Sequence, residues 1–326
     1  MSNPYRGSNL PADAVRIEAA TGTGSEGRLR AVSSFEPYEL VDYLAALKLH
    51  LPGVAIDLWR MPTATLTEYL LSGAQCDLIL GWAETAAKTP GIAERILCSN
   101  AAAVRSEIDG FCRPTAFSTA FVVDPSLLRQ RGLAVPASWS ALADPMLAGG
   151  IVFPDPRRSG AGYLALSTLI QCFGDRDGWQ LMHDIDRNVI DYPGSAWEPA
   201  QRVGTGGIAV GVTVQIAAAQ RRQAGTGVEI ALPSEATGME SEVYGMLRGT
   251  VHQQACERVL AWLTSAAAIP YFESHAKIVR HQAKTQTYFE LDAERAGRER
   301  DIVLRQFGML INSRDDGARR FAGERQ

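Results

Sequence analysis

Gly150-Ile151-Val152-Phe153-Pro154-Asp155-Pro156-Arg157-Arg158-Ser159-Gly160-Ala161-Gly162-Tyr163 is the stretch around which this 326-residue chain is organised. Ile151 to Phe153 reads as a short buried strand, stopped by Pro154 and Pro156, which cannot extend a sheet interior. Ser159 then caps a helix whose apolar residues Leu164, Leu166, Leu169, Ile170 and Phe173 recur at helical spacing. The small residues Gly160, Ala161 and Gly162 leave the first-turn N–H groups uncovered. Those donors, with the positive end of the helix dipole, make a place for an anion. Taken alone, the same residues also describe an ordinary strand–turn–helix with a serine cap, and both readings stand at this level.

Working outward, the length suits two lobes of about 150 residues each. With 46% hydrophobic and 21% charged residues, the composition is that of an ordinary globular protein rather than a disordered chain. A formal charge of −4 argues against broad nucleic-acid binding, which needs a basic face. No apolar run approaches the length that spans a bilayer. Met1 to Ala12 is polar, with Pro4 and Pro11, and holds no signal-peptide core, so either the chain is cytoplasmic or a leader has been removed. The five cysteines, Cys76, Cys98, Cys112, Cys172 and Cys256, form no C-x-x-C pair, which disfavours a thiolate metal site. Cys98 and Cys112 are spaced to allow a bridge; five free thiols is the other reading.

Gly22-Thr23-Gly24-Ser25-Glu26-Gly27 matches the dinucleotide pattern G-x-G-x-x-G, but the glycines lead from one extended segment into another rather than into a helix. It is read as a hairpin or linker. From Ser33 onward strands alternate with helices. Pro37 to Leu49 is a helix, Val54 to Trp59 a strand, Leu66 to Ser72 a helix opened by a Thr65–Glu68 capping box, and Asp77 to Trp82 a strand. Phe117 to Asp124, Asn188 to Tyr192, Ile208 to Val214, Val228 to Leu232 and Val243 to Leu247 are further strands, with helices at Gly178–Asp186, Ala217–Gln223 and Gln253–Thr264. A second capping box is Ser195 with Glu198. This alternation implies a parallel α/β sheet. In the charged C-terminal region, Ile302, Leu304, Phe307, Leu310 and Ile311 form a stripe able to dock on the body.

Three segments in order carry a resemblance: the Phe153–Tyr163 turn, Pro193-Gly194-Ser195 before a helix, and Gly204-Thr205-Gly206-Gly207-Ile208-Ala209-Val210-Gly211-Val212-Thr213. They are joined by Val32-Ser33-Ser34-Phe35-Glu36, Trp59-Arg60-Met61-Pro62-Thr63, Arg131 to Trp139, Gly238-Met239-Glu240-Ser241-Glu242 and Ala255 to Leu263. Together they resemble the type II solute-binding proteins of ABC importers, in the subfamily of ferric-iron, phosphonate and sugar-phosphate binders. The resemblance implies a two-lobed periplasmic-binding-protein type II α/β fold with hinge strands and extra C-terminal helices. It divides the chain into an N-terminal extension (1–28), a discontinuous first lobe (29–120 plus 237–281), a second lobe (121–236) and C-terminal helices packing on the first lobe (282–326). Ligands of open α/β sheets bind beyond the carboxyl ends of the strands, where these turns fall.

The implied function is capture of a small anionic solute, phosphonate or organophosphate, by hinge closure, with delivery to an ABC permease in the inner membrane. The implied compartment is the periplasm, and a monomer needing no cofactor and no nucleic acid is expected. Alternatives are a ferric-iron binder of the same family or the ligand-sensing component of a signalling system. Iron-binding relatives carry two tyrosines where this chain has Val214-Gln215, and that pair offers no anionic oxygen. The helix starts near Thr63 and Thr65, near Ser159, Gly160, Ala161 and Gly162, and near Ser195 and Ala196 supply hydroxyl and N–H donors. Ser34 and Arg60 lie in the matching segments, with Arg157 or Arg158 as a further cation. Glu36, Glu240 and Glu242 stand where phosphonate-binding relatives carry acids, and Trp82 and Trp197 fall at turns where they can wall a cleft. No H-E-x-x-H, G-x-x-x-x-G-K-[ST] or G-x-S-x-G occurs, and an enzyme is not expected.

Overall fold

The computed structural model describes residues 10–280 and 288–323, with side chains as far as residue 312. Along the chain the strands are β1 (Val15–Arg16), β2 (Gly27–Ser33), β3 (Val54–Arg60), β4 (Leu78–Ala83), β5 (Ile96–Leu97), β6 (Cys112–Val123), β7 (Ile151–Val152), β8 (Val189–Asp191), β9 (Val210–Val214), β10 (Glu229–Ala231), β11 (Gly238–Leu247), β12 (Ile278–Val279) and β13 (Phe289–Glu290). The helices are α1 (Pro37–His50), α2 (Thr63–Leu71), α3 (Glu84–Ala87), α4 (Pro125–Gln130), α5 (Gly160–Phe173), α6 (Asp175–Asp186), α7 (Trp197–Arg202), α8 (Gln215–Gln223), α9 (Gln253–Leu263), α10 (Ile269–Ser274) and α11 (Ala293–Gly323).

The strands run in the order β1-β3-β2-β4-β11-β6-β9-β7-β8. Two parallel groups, β3-β2-β4 and β9-β7-β8, sit at either end, as strand–helix alternation requires. Between them β11 and β6 are antiparallel to their neighbours. The long strand β6 is shared: Cys112 to Ser118 pairs with β11, and Thr119 to Val123 pairs with β9. The chain therefore crosses from one half to the other within a single strand. It returns after β10, which pairs with Phe121–Val123, and runs straight into β11. The sequence cut both long strands short. Arg113, Thr115, Glu240 and Glu242 are buried in them, and polar residues hide a strand from a hydropathy pattern.

Each half is a sheet covered on both faces, which is why its strands are apolar throughout rather than alternating. In the first half Ala31, Leu58, Leu78 and Leu80 face α1, α9 and α10 through Leu40, Tyr43, Val259 and Phe272, while Val32 and Ile79 face α2 and α3 through Leu66, Leu70 and Ala86. In the second half Phe121, Ile151, Val210 and Val212 pack with Trp139, Tyr163, Leu166 and Met182, and Ala120, Val122 and Val152 pack with Ala200, Ile216 and Ala218. The architecture is a two-lobed α/β fold joined by shared strands.

Two differences from the sequence reading, at α2 and α11, have physical causes, and the glycine-rich loop between β1 and β2 follows that reading. Helix α2 begins at Thr63, not at a Thr65 box, because the Pro62 carbonyl already accepts the Leu66 N–H at 2.9 Å. The Gly22–Gly27 loop hydrogen-bonds to the Pro52–Gly53 turn (Thr23 N to Pro52 O and Glu26 N to Gly53 O, both 2.8 Å) and opens no helix. Helix α11 was expected on the first lobe, but it bridges both. Lys88, next to α3, reaches Glu294 at 2.6 Å, whereas Leu291, Ala296, Val303 and Phe307 join the core of the second half. The apolar stripe around Phe307 matches the face of α5, and Tyr163 Oη donates to the Ala296 carbonyl at 2.6 Å. All five cysteines are free thiols.

Candidate functional site

A cavity of about 90 Å³ lies between the two halves. At about 30 Å³ per water it holds roughly three waters, the room taken by a small polyatomic ligand. Five helix N-termini surround it. The first half contributes the starts of α1 (Glu36, Tyr38, Glu39) and α2 (Pro62, Thr63), and the second half those of α5 (Ser159–Ala161), α7 (Ser195–Trp197) and α8 (Ile216, Ala217). The positive ends of the helix dipoles thus converge.

The quoted turn is built as its residues demand. Ser159 has extended backbone angles and its Oγ accepts the Gly162 N–H at 3.3 Å, closing the first turn of α5. The N–H groups of Gly160 and Ala161 have no acceptor among the described residues. Gly160 faces the start of α2, where an added Cβ would stand 2.9 Å from Thr63 Oγ1 and 3.2 Å from the Ala83 Cβ. Two helix N-termini from opposite lobes therefore approach as closely as glycine allows. Asp155 is occupied locally, pairing with Arg157 at 2.8 Å, so Arg157 turns away while Arg158 lines the cavity across the Gly194 backbone. At α7 the Glu198 N–H donates to Ser195 Oγ at 3.3 Å, as a capping box does.

The first half brings acids, each with a partner. Arg60 Nη2 reaches both Glu36 oxygens at 3.2 and 3.3 Å. Lys277, wholly buried, lies 2.7 Å from Glu39 and 2.6 Å from Glu242, with its ammonium 3.7 Å from the centre of the Phe35 ring. Thr115 Oγ1 donates to the other Glu242 oxygen at 2.6 Å. Burial pushes the Glu36 carboxyl up against the pull of Arg60. Burial also pushes Glu242 up, with the charge of Glu39 adding and Lys277 opposing. Tyr38 and Trp197 meet across the mouth with ring centres 5.2 Å apart.

Of the residues singled out in the sequence, Ser34, Glu36, Arg60, Thr63, Ser159, Gly160, Ala161, Ser195, Ala196 and Glu242 line this cavity. Four do not. Thr65 lies on the outer face of α2 and donates to Asp13 at 2.7 Å. Trp82 is fully buried among the α2 and α3 side chains, because every residue of β4 is covered. Gly162 is packed on Pro154, whose carbonyl oxygen would stand 2.3 Å from an added Cβ, so its role is close packing. Glu240 accepts the Thr85 N–H at 2.9 Å beneath α3, outside the cavity. Residues the sequence did not single out are Phe35, Tyr38, Glu39, Phe117, Ile216, Ala217 and, behind the wall, Lys277. Glu36-Pro37-Tyr38-Glu39 did carry a signal. Proline at the first helical position with Glu39 two residues on marks a helix start, and the Glu36 N–H donates to Glu39 Oε1 at 3.2 Å. Lys277 carried none, since its partners are distant in sequence.

Among the described residues no group of three His, Cys, Asp or Glu side chains is arranged to hold a metal ion, and no helix is long and apolar enough to cross a membrane. A family model for bacterial extracellular solute-binding proteins matches residues 109–288. An uncharacterized protein of Haemophilus influenzae is 28% identical over 146 residues, a match spanning 44% of this chain and 42% of that protein. In structure the chain is similar to the periplasmic binding protein AfuA of Actinobacillus pleuropneumoniae with fructose-6-phosphate bound, at TM-score 0.79 and 19% identity over 88% of this chain and 99% of that one. It is also similar to the periplasmic binding protein P5PA (TM-score 0.76, 18% identity, 87% and 99% covered). Iron-bound HitA of Pseudomonas aeruginosa follows the same fold at TM-score 0.66 and 12% identity over 83% of this chain and 92% of that one. At these identities the structures speak for the fold, and the family match, covering more than half of the chain, speaks for the family. This chain belongs to the bacterial extracellular solute-binding proteins, a family of substrate-binding proteins rather than enzymes.

Proposed function

We propose that this protein captures a small phosphate- or phosphonate-bearing anion in the inter-lobe cavity and presents it, from the periplasm, to an ABC permease. The observation that carries the reading is the facing pair of helix N-termini. The unclaimed N–H groups of Gly160 and Ala161 lie opposite Thr63, and both sit in the cavity wall. A tetrahedral anion accepts from several such donors at once, and the dipoles favour its charge. The cavity's volume suits such an anion, and the similar AfuA structure holds a sugar phosphate. The ferric reading finds no support at Val214-Gln215, whose side chains offer no anionic oxygen.

In this reading the lobes are residues 29–120 with the return from 237, and residues 121–236. The hinge lies where β6 changes partner between Ser118 and Thr119, and in the segment leading back into β11. The monomer closes by rotation about these strands, burying the ligand. A thermal-shift screen tests this with inorganic phosphate, phosphonates, sugar phosphates, phosphoglycerate, simple carboxylates and ferric salts. A phosphate-bearing ligand at 100 times its dissociation constant should stabilise by about 2.7 kcal/mol. Stabilisation by ferric salts alone, or by carboxylates alone, would overturn the reading.

A further inference from the structure

The cavity is proposed to take an anion, yet the first lobe puts three carboxylates into its wall, Glu36, Glu39 and Glu242. Uncompensated carboxylates at such a site repel an anionic ligand and cost solvation besides. Glu36 is answered within the wall by Arg60. Glu39 and Glu242 are answered from behind, by one residue: Lys277, whose side chain is 0% exposed.

We propose that Lys277 is the specificity-determining residue of this cavity, offsetting one of the two negative charges of Glu39 and Glu242 so that an anion, rather than a cation, is admitted. This rests on the anion-binding reading above. The geometry supports a built arrangement. The ammonium reaches one oxygen of each carboxylate and lies against the face of Phe35, itself a cavity residue. The remaining Glu242 oxygen is taken by Thr115, which also meets Tyr244 Oη at 3.1 Å, and Glu39 Oε1 takes the Glu36 N–H. Both carboxylates are thus fixed to α1 and β11 while their charge is drawn away from the cavity. His275, packed 6.0 Å from the Tyr38 ring, and Asp42, 3.2 Å from His275, complete the polar surroundings of this corner. Lys277 acts through the two carboxylates, so it is a positioning residue and not a ligand contact.

A charge-balance role predicts effects of opposite sign, which a merely structural role does not. Calorimetry on the full chain would compare wild type, Lys277→Met, Glu39→Gln and the double variant K277M/E39Q. The probe is whichever of inorganic phosphate, 2-aminoethylphosphonate, fructose 6-phosphate and 3-phosphoglycerate wild type binds most tightly. Glu39→Gln, which keeps the acceptor for the Glu36 N–H, should bind severalfold more tightly. Lys277→Met should bind at least tenfold more weakly, and the double variant should return to within threefold of wild type. If Lys277→Met does not fold, Glu39→Gln and the double variant still decide. Weaker binding in every folded variant, with the double variant weakest, would overturn the charge-balance role while leaving the anion reading intact. Failure of wild type to bind any of the four probes would overturn both.

Discussion

The two walls of the cavity are chemically unlike. The second lobe offers the N–H groups of Gly160 and Ala161, the hydroxyls of Ser159 and Ser195, and the exposed guanidinium of Arg158, and among the described residues it places no carboxylate in the wall. The first lobe offers Glu36, Glu39 and Glu242, each held by a cation, and the aromatic faces of Phe35 and Tyr38. Under the proposed function, the difference separates grip from selection. A wall of neutral donors and dipoles holds an anion without needing its own counter-charge. A wall of compensated acids sets the electrostatic threshold that the ligand must meet. The cavity lies between the two, so neither wall alone makes the site.

This comparison can be broken or sharpened in several ways. The largest effect is expected behind the first wall. Glu240, two residues from Glu242 on the same strand, is 2% exposed, and its Oε1 has no partner among the described residues. Arg300 of α11 lies buried over Tyr163, its Nη atoms likewise unpartnered. Burial pushes the Glu240 carboxyl up to about 8, the Thr85 hydrogen bonds opposing. A carboxyl raised in the folded state holds its proton more tightly there than in the unfolded chain. Stability is therefore full below the ordinary value near 4.5 and falls as pH rises toward 8. Glu240→Gln should abolish this decline and gain about 4 kcal/mol at pH 8 in denaturant titration, with ligand affinity unchanged. A wild-type profile as flat as the variant's would contradict it.

Next comes the meeting of the walls. Gly160→Val should hold α5 away from Thr63 and Ala83 and weaken binding roughly a hundredfold, about 2.7 kcal/mol. Unchanged affinity would separate that approach from function. Smallest is the aromatic pair across the mouth. Trp197→Ala removes a contact worth about 1 kcal/mol and should weaken binding about fivefold by faster release, read in stopped-flow dissociation.

Much of the fold was legible because strands and helices alternate with clear punctuation. Pro154 and Pro156 stop β7, Ser159 caps α5, and Pro37 opens α1. The second wall was legible for the same reason, since a capped turn with small residues is a local signal. The first wall was only half legible. Glu36 stood next to a readable helix start, but whether Glu240 or Glu242 reaches the cavity depends on what packs over β11, and α3 claims Glu240 through the Thr85 N–H. Trp82 looked like a turn residue because β4 passes directly into α3, so the covering helix was invisible. Lys277 and its two carboxylates span 35 residues at the nearer partner and more at the other, and no pattern in the chain joins them. The bridging course of α11 was equally beyond reach: its apolar stripe declared that it docks, but not on what.

The central claim is that the turn from Ser159 to Ala161 grips a phosphate-bearing anion. Its most direct test is calorimetric titration of wild type and Ser159→Leu with the tightest phosphate-bearing ligand, alongside thermal unfolding of both. Leucine removes the capping hydroxyl and crowds the two free N–H groups. The account predicts saturable one-to-one binding by wild type and at least a tenfold loss, about 1.4 kcal/mol or more, in a variant that still unfolds cooperatively. Equal affinity in the two proteins would contradict it.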